Sequence, residues 1–330
     1  ARGVPMRAQL PLAVFGCCVA ACSARPLDGR GGPPDVPPVA AEAATVSPTS
    51  APAPSASSAV EPPPAPSFCP AGMLLVDTRS CSDVQRRCLD DEYNKANKIT
   101  ICKRFAEQAP RCTGEERRYR FCIDEYEYPN QKGARSPVMV DFYDAMALCS
   151  EQGKRLCWEG EWIAACEGPD QKPFPYGYAR SKDHCNIDNP WLKPSLSKIY
   201  DADPAVSSRE LERLDQGVAS GSREKCVSDF GVRDQTGNVD EWVMLERKRG
   251  KGGWAGLKGG AWGHVRNACR PVTTSHAPEF TYYFVSFRCC ADAKPDPASV
   301  NARSPWKAPP LPRNEKPADK VSRGFVPSRK

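Results

Sequence analysis

The clearest periodicity lies in residues 141–152, where Phe142, Ala145, Met146 and Cys149 recur at i, i+3, i+4 and i+7 and share one helix face. The ends of this segment carry matching signals. Asp141 is an N-cap residue type, Asp144 sets a negative charge where the helix dipole favours one, and Gly153 suits the C′ position because it adopts positive φ. A second helix is predicted over 159–166, burying Trp162 and Ala165. Residues 69–76 read as a first strand with a Gly turn, and 120–127 as a strand running into an acidic turn. The remainder consists of short apolar runs punctuated by Gly and Pro, and so of long loops that are costly in entropy unless pinned.

The pattern fails at both ends of the chain. Residues 23–67 are Pro, Ala and Ser with few large apolar side chains, which predicts an extended mobile linker. Residues 291–330 are Pro-rich, and Lys and Arg outnumber Asp and Glu there nine to four. This tail supplies most of the net charge of +6. It is expected to be solvated and disordered, with contact to anionic lipid, cell-wall polymer or nucleic acid as the other reading. The segment between is close to neutral, so no nucleic-acid partner is expected.

At the start, Met6 and Arg7 precede an apolar stretch, residues 10–21, that is too short to span a bilayer. It ends in Val19-Ala20-Ala21-Cys22, small residues before a cysteine, and resembles a bacterial lipoprotein signal covering 1–22 with Cys22 as the acylated residue. A plain secretory signal is the alternative, and Cys17 after Phe15-Gly16 is a second acylation position. Acyl chains on Cys22 would anchor the protein firmly, at ~0.8 kcal/mol per buried methylene. Seventeen cysteines agree with an oxidising compartment. The expected location is the bacterial cell envelope, on a membrane, facing the periplasm or cell surface.

Four segments occur in a telling order: Gly153-Lys154-Arg155-Leu156-Cys157-Trp158-Glu159-Gly160-Glu161-Trp162, Gly237-Asn238-Val239-Asp240-Glu241-Trp242, Gly259-Gly260-Ala261-Trp262 and Phe287-Arg288-Cys289. They resemble the GKRLPTEAEW, GNVWEW, GGSW and GFR motifs of the sulfatase-modifying-factor, or formylglycine-generating-enzyme-like, family. The resemblance implies an α+β, C-type-lectin-like domain over 68–290, loop-rich and stapled by disulfides. A Cys-rich insertion at about 78–119 departs from it. So does Cys157-Trp158, which replaces the Pro-Thr pair that starts the family's second helix. Trp158 cannot cap as Thr does, so another contact, such as a bond from Cys157, must hold that helix start.

The resemblance also implies two disulfides, Cys149–Cys289 and Cys166–Cys269. For loops this long the chain-entropy model gives roughly 4–5 kcal/mol each. By position, Cys185 and Cys226 bracket the central loop, and Cys157 and Cys290 each adjoin a placed pair. The cysteines at 69, 81, 88, 102, 112 and 122 allow about fifteen connectivities, which sequence leaves open. Zinc has no support, for lack of a CxxC or a Cys–His cluster.

Family members bind calcium with residues matched here by Asp234, Gly237, Val239 and Glu241, and a second ion with a pair matched by Asn186 and Ile187. Oxygen ligands on such turns suit calcium as a structural cofactor. The copper-binding cysteine pair of the family's oxidases is missing: the loop Gly263-His264-Val265-Arg266-Asn267-Ala268 leads straight to Cys269. His264 falls near the second of those cysteines, and it is the candidate catalytic residue if there is one. One His is no copper site, and three His in the whole chain give no support to copper or iron.

What remains is a ligand cleft, with Trp254, Trp262, His264, Arg266, Arg270, Tyr282 and Tyr283 as its candidate lining and Arg288 nearby. Aromatic and Arg side chains suit a peptide or sugar. The expected protein is an exported, lipid-anchored, non-catalytic module that binds a cell-surface protein, peptide or glycan. The alternative is a metal-dependent oxidoreductase of the same family, acting in sulfatase maturation or related sulfur oxidation.

Overall fold

The computed structural model describes residues 68–295 and 306–328. The expected signal segment, the Cys22 anchor and the 23–67 linker lie outside the described residues. The domain is α+β, built on two four-stranded sheets.

Strand β1 (Met73–Cys81) pairs antiparallel with β6 (Glu116–Asp124) along its whole length. Tyr119, Phe121 and Ile123 alternate inward on β6, as a half-buried strand requires. The last long strand of the first sheet, β12 (Cys289–Asp292), inserts beside β6, and β7 (Arg155–Leu156) closes the far edge. Before β6 the chain makes an excursion containing β2 (Val84–Gln85), the hairpin β3 (Cys88–Asn94) with β4 (Ile99–Phe105), and β5 (Arg111–Cys112). This is the Cys-rich insertion, and three disulfides pin it: Cys69–Cys122, Cys81–Cys112 and Cys88–Cys102.

Helix α1 (Phe142–Glu151) begins where its signals place it. The Asp141 carboxylate accepts from the Asp144 N–H at 2.8 Å, and Gly153 takes a φ of 67°. Helix α2 (Glu159–Glu167) lies between the sheets, with Trp162 and Ala165 in a core shared with Val76, Phe121 and Val243. Two devices hold its unusual start. The Glu161 carboxylate reaches back to accept from the Trp158 N–H at 3.0 Å, and Cys157 is bonded to Cys290. The Asp292 and Glu161 carboxylates both accept from Arg155, which ties β7, α2 and β12 together.

The second sheet runs β10 (Val272–Thr273), β9 (Gly253–Lys258), β8 (Asp240–Arg249), β11 (Val285–Phe287), with β11 parallel to β8. Between the sheets in sequence lies a long excursion with α3 (Leu196–Ile199) and α4 (Pro204–Leu214). Sequence reading treats α4 as loop, yet its signals are present. Asp203 caps the Ala205 N–H, Pro204 takes the first turn, and Leu211 and Leu214 are buried.

The C-terminal tail corrects the sequence expectation. Residues 306–328 are not a solvated disordered tail: they run along the domain as a strap. Trp306 packs on Tyr119 and Trp158, with ring centroids 5.2 and 6.3 Å away. Lys316 Nζ sits 2.7 Å from the carboxylates of both Asp141 and Asp144. Phe325 exchanges backbone hydrogen bonds with Val138. The basic residues that make this segment read as solvated are in part the groups that attach it, because they meet carboxylates at the start and end of α1. Among the described residues, no helix is long and apolar enough to cross a membrane.

Candidate functional site

The Gly259-Gly260 turn sets the site. Both glycines take positive φ, and a Cβ on Gly259 would meet the Gln235 carbonyl oxygen at 2.6 Å. The buried Asn267 holds the turn, its side-chain amide donating to the carbonyls of Gly259, Gly260 and Ala261. Arg180 donates in turn to Asn267 Oδ1 at 2.8 Å, to the His264 carbonyl at 3.1 Å and to the Asp188 carboxylate. Neither Asn267 nor Arg180 stands out in the sequence. Their role depends on contacts across 87 positions, for which local pattern gives no signal.

The loop so fixed opens into a groove of about 360 Å³. Trp262, Tyr282, Tyr283 and Phe284 form its floor, and His264 and Arg266 one side. The aromatic rings pack on one another, with Tyr282 and Tyr283 centroids 4.6 Å apart and the His264 ring edge-on to Phe284 at 4.4 Å. The walls come from outside the core. One is the tip of the β3–β4 hairpin at Asn97, and the other is Pro190, Trp191, Leu192 and Gln216 from the long excursion. Trp191 is 69% exposed, the most exposed of the large apolar side chains among the described residues.

Five expected lining residues meet here: Trp262, His264, Arg266, Tyr282 and Tyr283. Two do not. Arg270 is turned away from the groove, where it holds the buried Glu167 carboxylate with two hydrogen bonds and donates to the Cys81 carbonyl. Trp254 lies on β9 under the Lys248 ammonium, 5.6 Å from its ring centroid. Arg288 is fully buried and also stands apart from the groove.

His264 Nδ1 lies 3.3 Å from the buried Asp240 carboxylate, which orients the ring. His276 stacks on Phe280 and His184 bonds to Ser181, so the three histidines are separately engaged. Among the described residues, no group of three or more His, Cys, Asp or Glu side chains is placed to hold a metal ion.

Residues 234–241 form a buried polar knot. Arg288 donates from Nε and Nη2 to the two Glu241 oxygens at 2.7 Å each, and the Trp162 indole adds a third bond at 2.8 Å. Asp234 accepts from the Gly221 N–H, and Asn186 is satisfied by Asn189, Gln216 and Asn238. Gly237, at φ 88°, passes so close to the Asn186 carbonyl that a Cβ would lie 2.4 Å from it. The residues expected to hold calcium, Asp234, Gly237, Val239 and Glu241 with Asn186 and Ile187, are thus gathered in one place. In the first of the two expected sets, a guanidinium takes both oxygens of Glu241, which leaves the Asp234 carboxylate and the backbone carbonyls of Gly237 and Val239 as its other oxygen donors. Glu127, which sequence reading passes over, completes the knot by accepting from the Asn238 amide at 2.7 Å. Burial, then the charges of Asp234 and Glu241, push the Glu127 carboxyl well above its usual range, and burial lifts Asp234 to about 6.

Seven disulfides take up every cysteine among the described residues. Cys149 is joined to Cys289, Cys157 to Cys290, Cys166 to Cys269 and Cys185 to Cys226. Cys269, at the end of the groove loop, is therefore a structural half-cystine with no thiol to offer.

Residues 82–293 match the profile of the sulfatase-modifying factor enzyme 1-like domain. A curated protein of Bos taurus named inactive C-alpha-formylglycine-generating enzyme 2 is 28% identical over 170 residues, covering 49% of this chain and 52% of that protein. The chain thus spans about half the length of this curated relative. Among solved structures, PvdO from Pseudomonas aeruginosa superposes with a TM-score of 0.42 at 15% identity, covering 67% of this chain and 94% of that one. Treponema denticola variable protein 1 does so with a TM-score of 0.36 at 13% identity, covering 66% and 95%.

Proposed function

The chain belongs to the sulfatase-modifying factor enzyme 1-like family, and from that premise we propose that it is a non-catalytic member that binds a peptide or glycan in the groove over Trp262 and Tyr282. One observation carries the reading. The oxidation for which the family is best known needs a pair of active-site thiols, and the described cysteines are all bonded as seven disulfides. The relative named as an inactive enzyme supports the same direction. So does the separate engagement of His184, His264 and His276, which argues against the oxidoreductase alternative.

The disulfides place the domain in an oxidising compartment outside the cytosol. Acylation at Cys22 would hold it on the envelope membrane. Metabolic labelling with a radioactive fatty acid tests this part, with label expected on the parent protein and absent from Cys22→Ala.

The full chain, incubated with copper and a cysteine-containing sulfatase peptide, is expected to leave the peptide mass unchanged. Catalytic conversion of the cysteine to an aldehyde, seen by mass spectrometry, would overturn the binding reading.

A further inference from the structure

We infer that the groove takes an acidic oligosaccharide, a sugar ring stacking on Trp191 and a carboxylate on the ring meeting Arg266; this rests on the binding reading above.

Three observations lead there. The first is size. At about 360 Å³ the groove sits at the low end of the range for small-molecule sites, about 300–1,000 Å³. A protein partner needs roughly 800 Å² of surface per side, far more than this concavity offers. The ligand is therefore compact.

The second is the wall chemistry. Trp191 offers a rim ring that is 69% exposed, while Asn97 and Gln216 bring neutral amides to the same groove. The aromatic face is electron-rich and favours the polarised C–H face of a sugar ring, and amides pair with hydroxyl groups in both directions. The placement is built rather than incidental. Cys88–Cys102 staples the hairpin that carries Asn97, and the Asn94 carboxamide accepts from the Asn97 backbone N–H to shape its tip. The Gln216 amide donates to the Pro190 carbonyl at 3.0 Å, bracing the loop of Trp191.

The third is charge. None of the lining side chains is acidic, and Asp240 lies buried behind His264. Arg266 is exposed and donates from Nη1 to the Thr273 hydroxyl at 3.4 Å, and among the described residues most of its guanidinium fork is left for a carboxylate.

The test is calorimetric titration of the full disulfide-bonded chain with uronic-acid and sialic-acid oligosaccharides, their neutral counterparts, and a peptide with a free C-terminal carboxylate. Acidic oligosaccharides are expected to bind. Trp191→Ala should weaken them at least tenfold without moving the melting temperature, because the ring is exposed. Arg266→Gln should erase the preference for acidic over neutral sugars. Equal binding of neutral and acidic sugars, or an unaffected Trp191→Ala, overturns the assignment. Binding of the peptide alone, lost in Trp191→Ala, overturns the sugar while leaving the groove as the binding site. No binding by any of the three classes overturns both the sugar and the binding reading.

Discussion

Arg288 and Glu241 are locked in a bidentate pair at 2.7 Å, both buried, between the parallel strands β11 and β8. The Arg288 guanidinium also donates to the Arg233 carbonyl at 2.8 Å, reaching the segment before the Gly237 turn. The pair therefore fixes where the last strands sit relative to β8 and the segment before Gly237. Arg288→Met or Glu241→Gln alone should destabilise the domain by about 3–5 kcal/mol, because each leaves a buried group unpaired. The double replacement should recover much of that loss in urea unfolding. Additive losses would mean that the two residues act independently.

The same pair bears on calcium. With Glu241 engaged by Arg288, chelation by EDTA should leave the melting temperature of the full chain unchanged, and added calcium should not raise it. A drop of several degrees on chelation would show that Arg288 yields Glu241 to an ion.

Glu127 and Asp234 give the domain an acid-favouring term. Burial raises both carboxyls, Asp234 to about 6 from 3.8. A raised carboxyl means that the folded state holds the proton more tightly than the unfolded chain. Its stabilisation is thus complete below about pH 4 and is lost as pH rises through about 6. His276 works the other way, since burial lowers its pKa and its contribution is lost as pH falls below about 6.5. Asp234→Asn keeps an oxygen for the Gly221 N–H and should remove the first slope. It should be more stable than the parent at pH 8 by on the order of 1–3 kcal/mol. Melts from pH 5 to 8 on the two proteins separate the slopes; parallel curves would exclude Asp234 as their source.

Lys316 clips the strap to α1 through Asp141 and Asp144. Lys316→Met should cost about 1–2 kcal/mol, partly screened because the ammonium is half-open to solvent. That is about 2–8 °C for a domain of this size. High salt should shrink the difference between variant and parent. Equal melting temperatures at low salt would show that the aromatic contacts of Trp306 hold the strap without the ion pair.

Much of the fold is legible in the sequence because it is carried by local rules. Asp141, Asp144 and Gly153 mark α1 by capping chemistry, and the four motifs order the core strands. The groove floor is legible for the same reason, since Trp262, Tyr282 and Tyr283 lie on or beside those motifs. Its walls are not. Asn97 and Trp191 reach the groove only because the two long excursions fold back over it, and no period within either excursion points there. Arg270 misleads because a lone Arg near a motif looks like a ligand group, whereas the buried Glu167 holds it elsewhere. The strap hides for a related reason: Pro and Lys lower local hydropathy, and the carboxylates that neutralise Lys316 lie about 170 positions earlier, a separation that composition cannot sense.

The adjacent Cys289 and Cys290 are the partners of Cys149 and Cys157, 140 and 133 positions upstream. A chain emerging N-terminus first presents Cys149, Cys157 and Cys166 to one another long before their true partners exist. Short loops close more readily than long ones, so early oxidation favours wrong bridges among those three. The native bonds of Cys149 and Cys157 can form only after the last strands have arrived. The yield of this domain is therefore expected to rise with the disulfide-isomerising capacity of the cell that makes it.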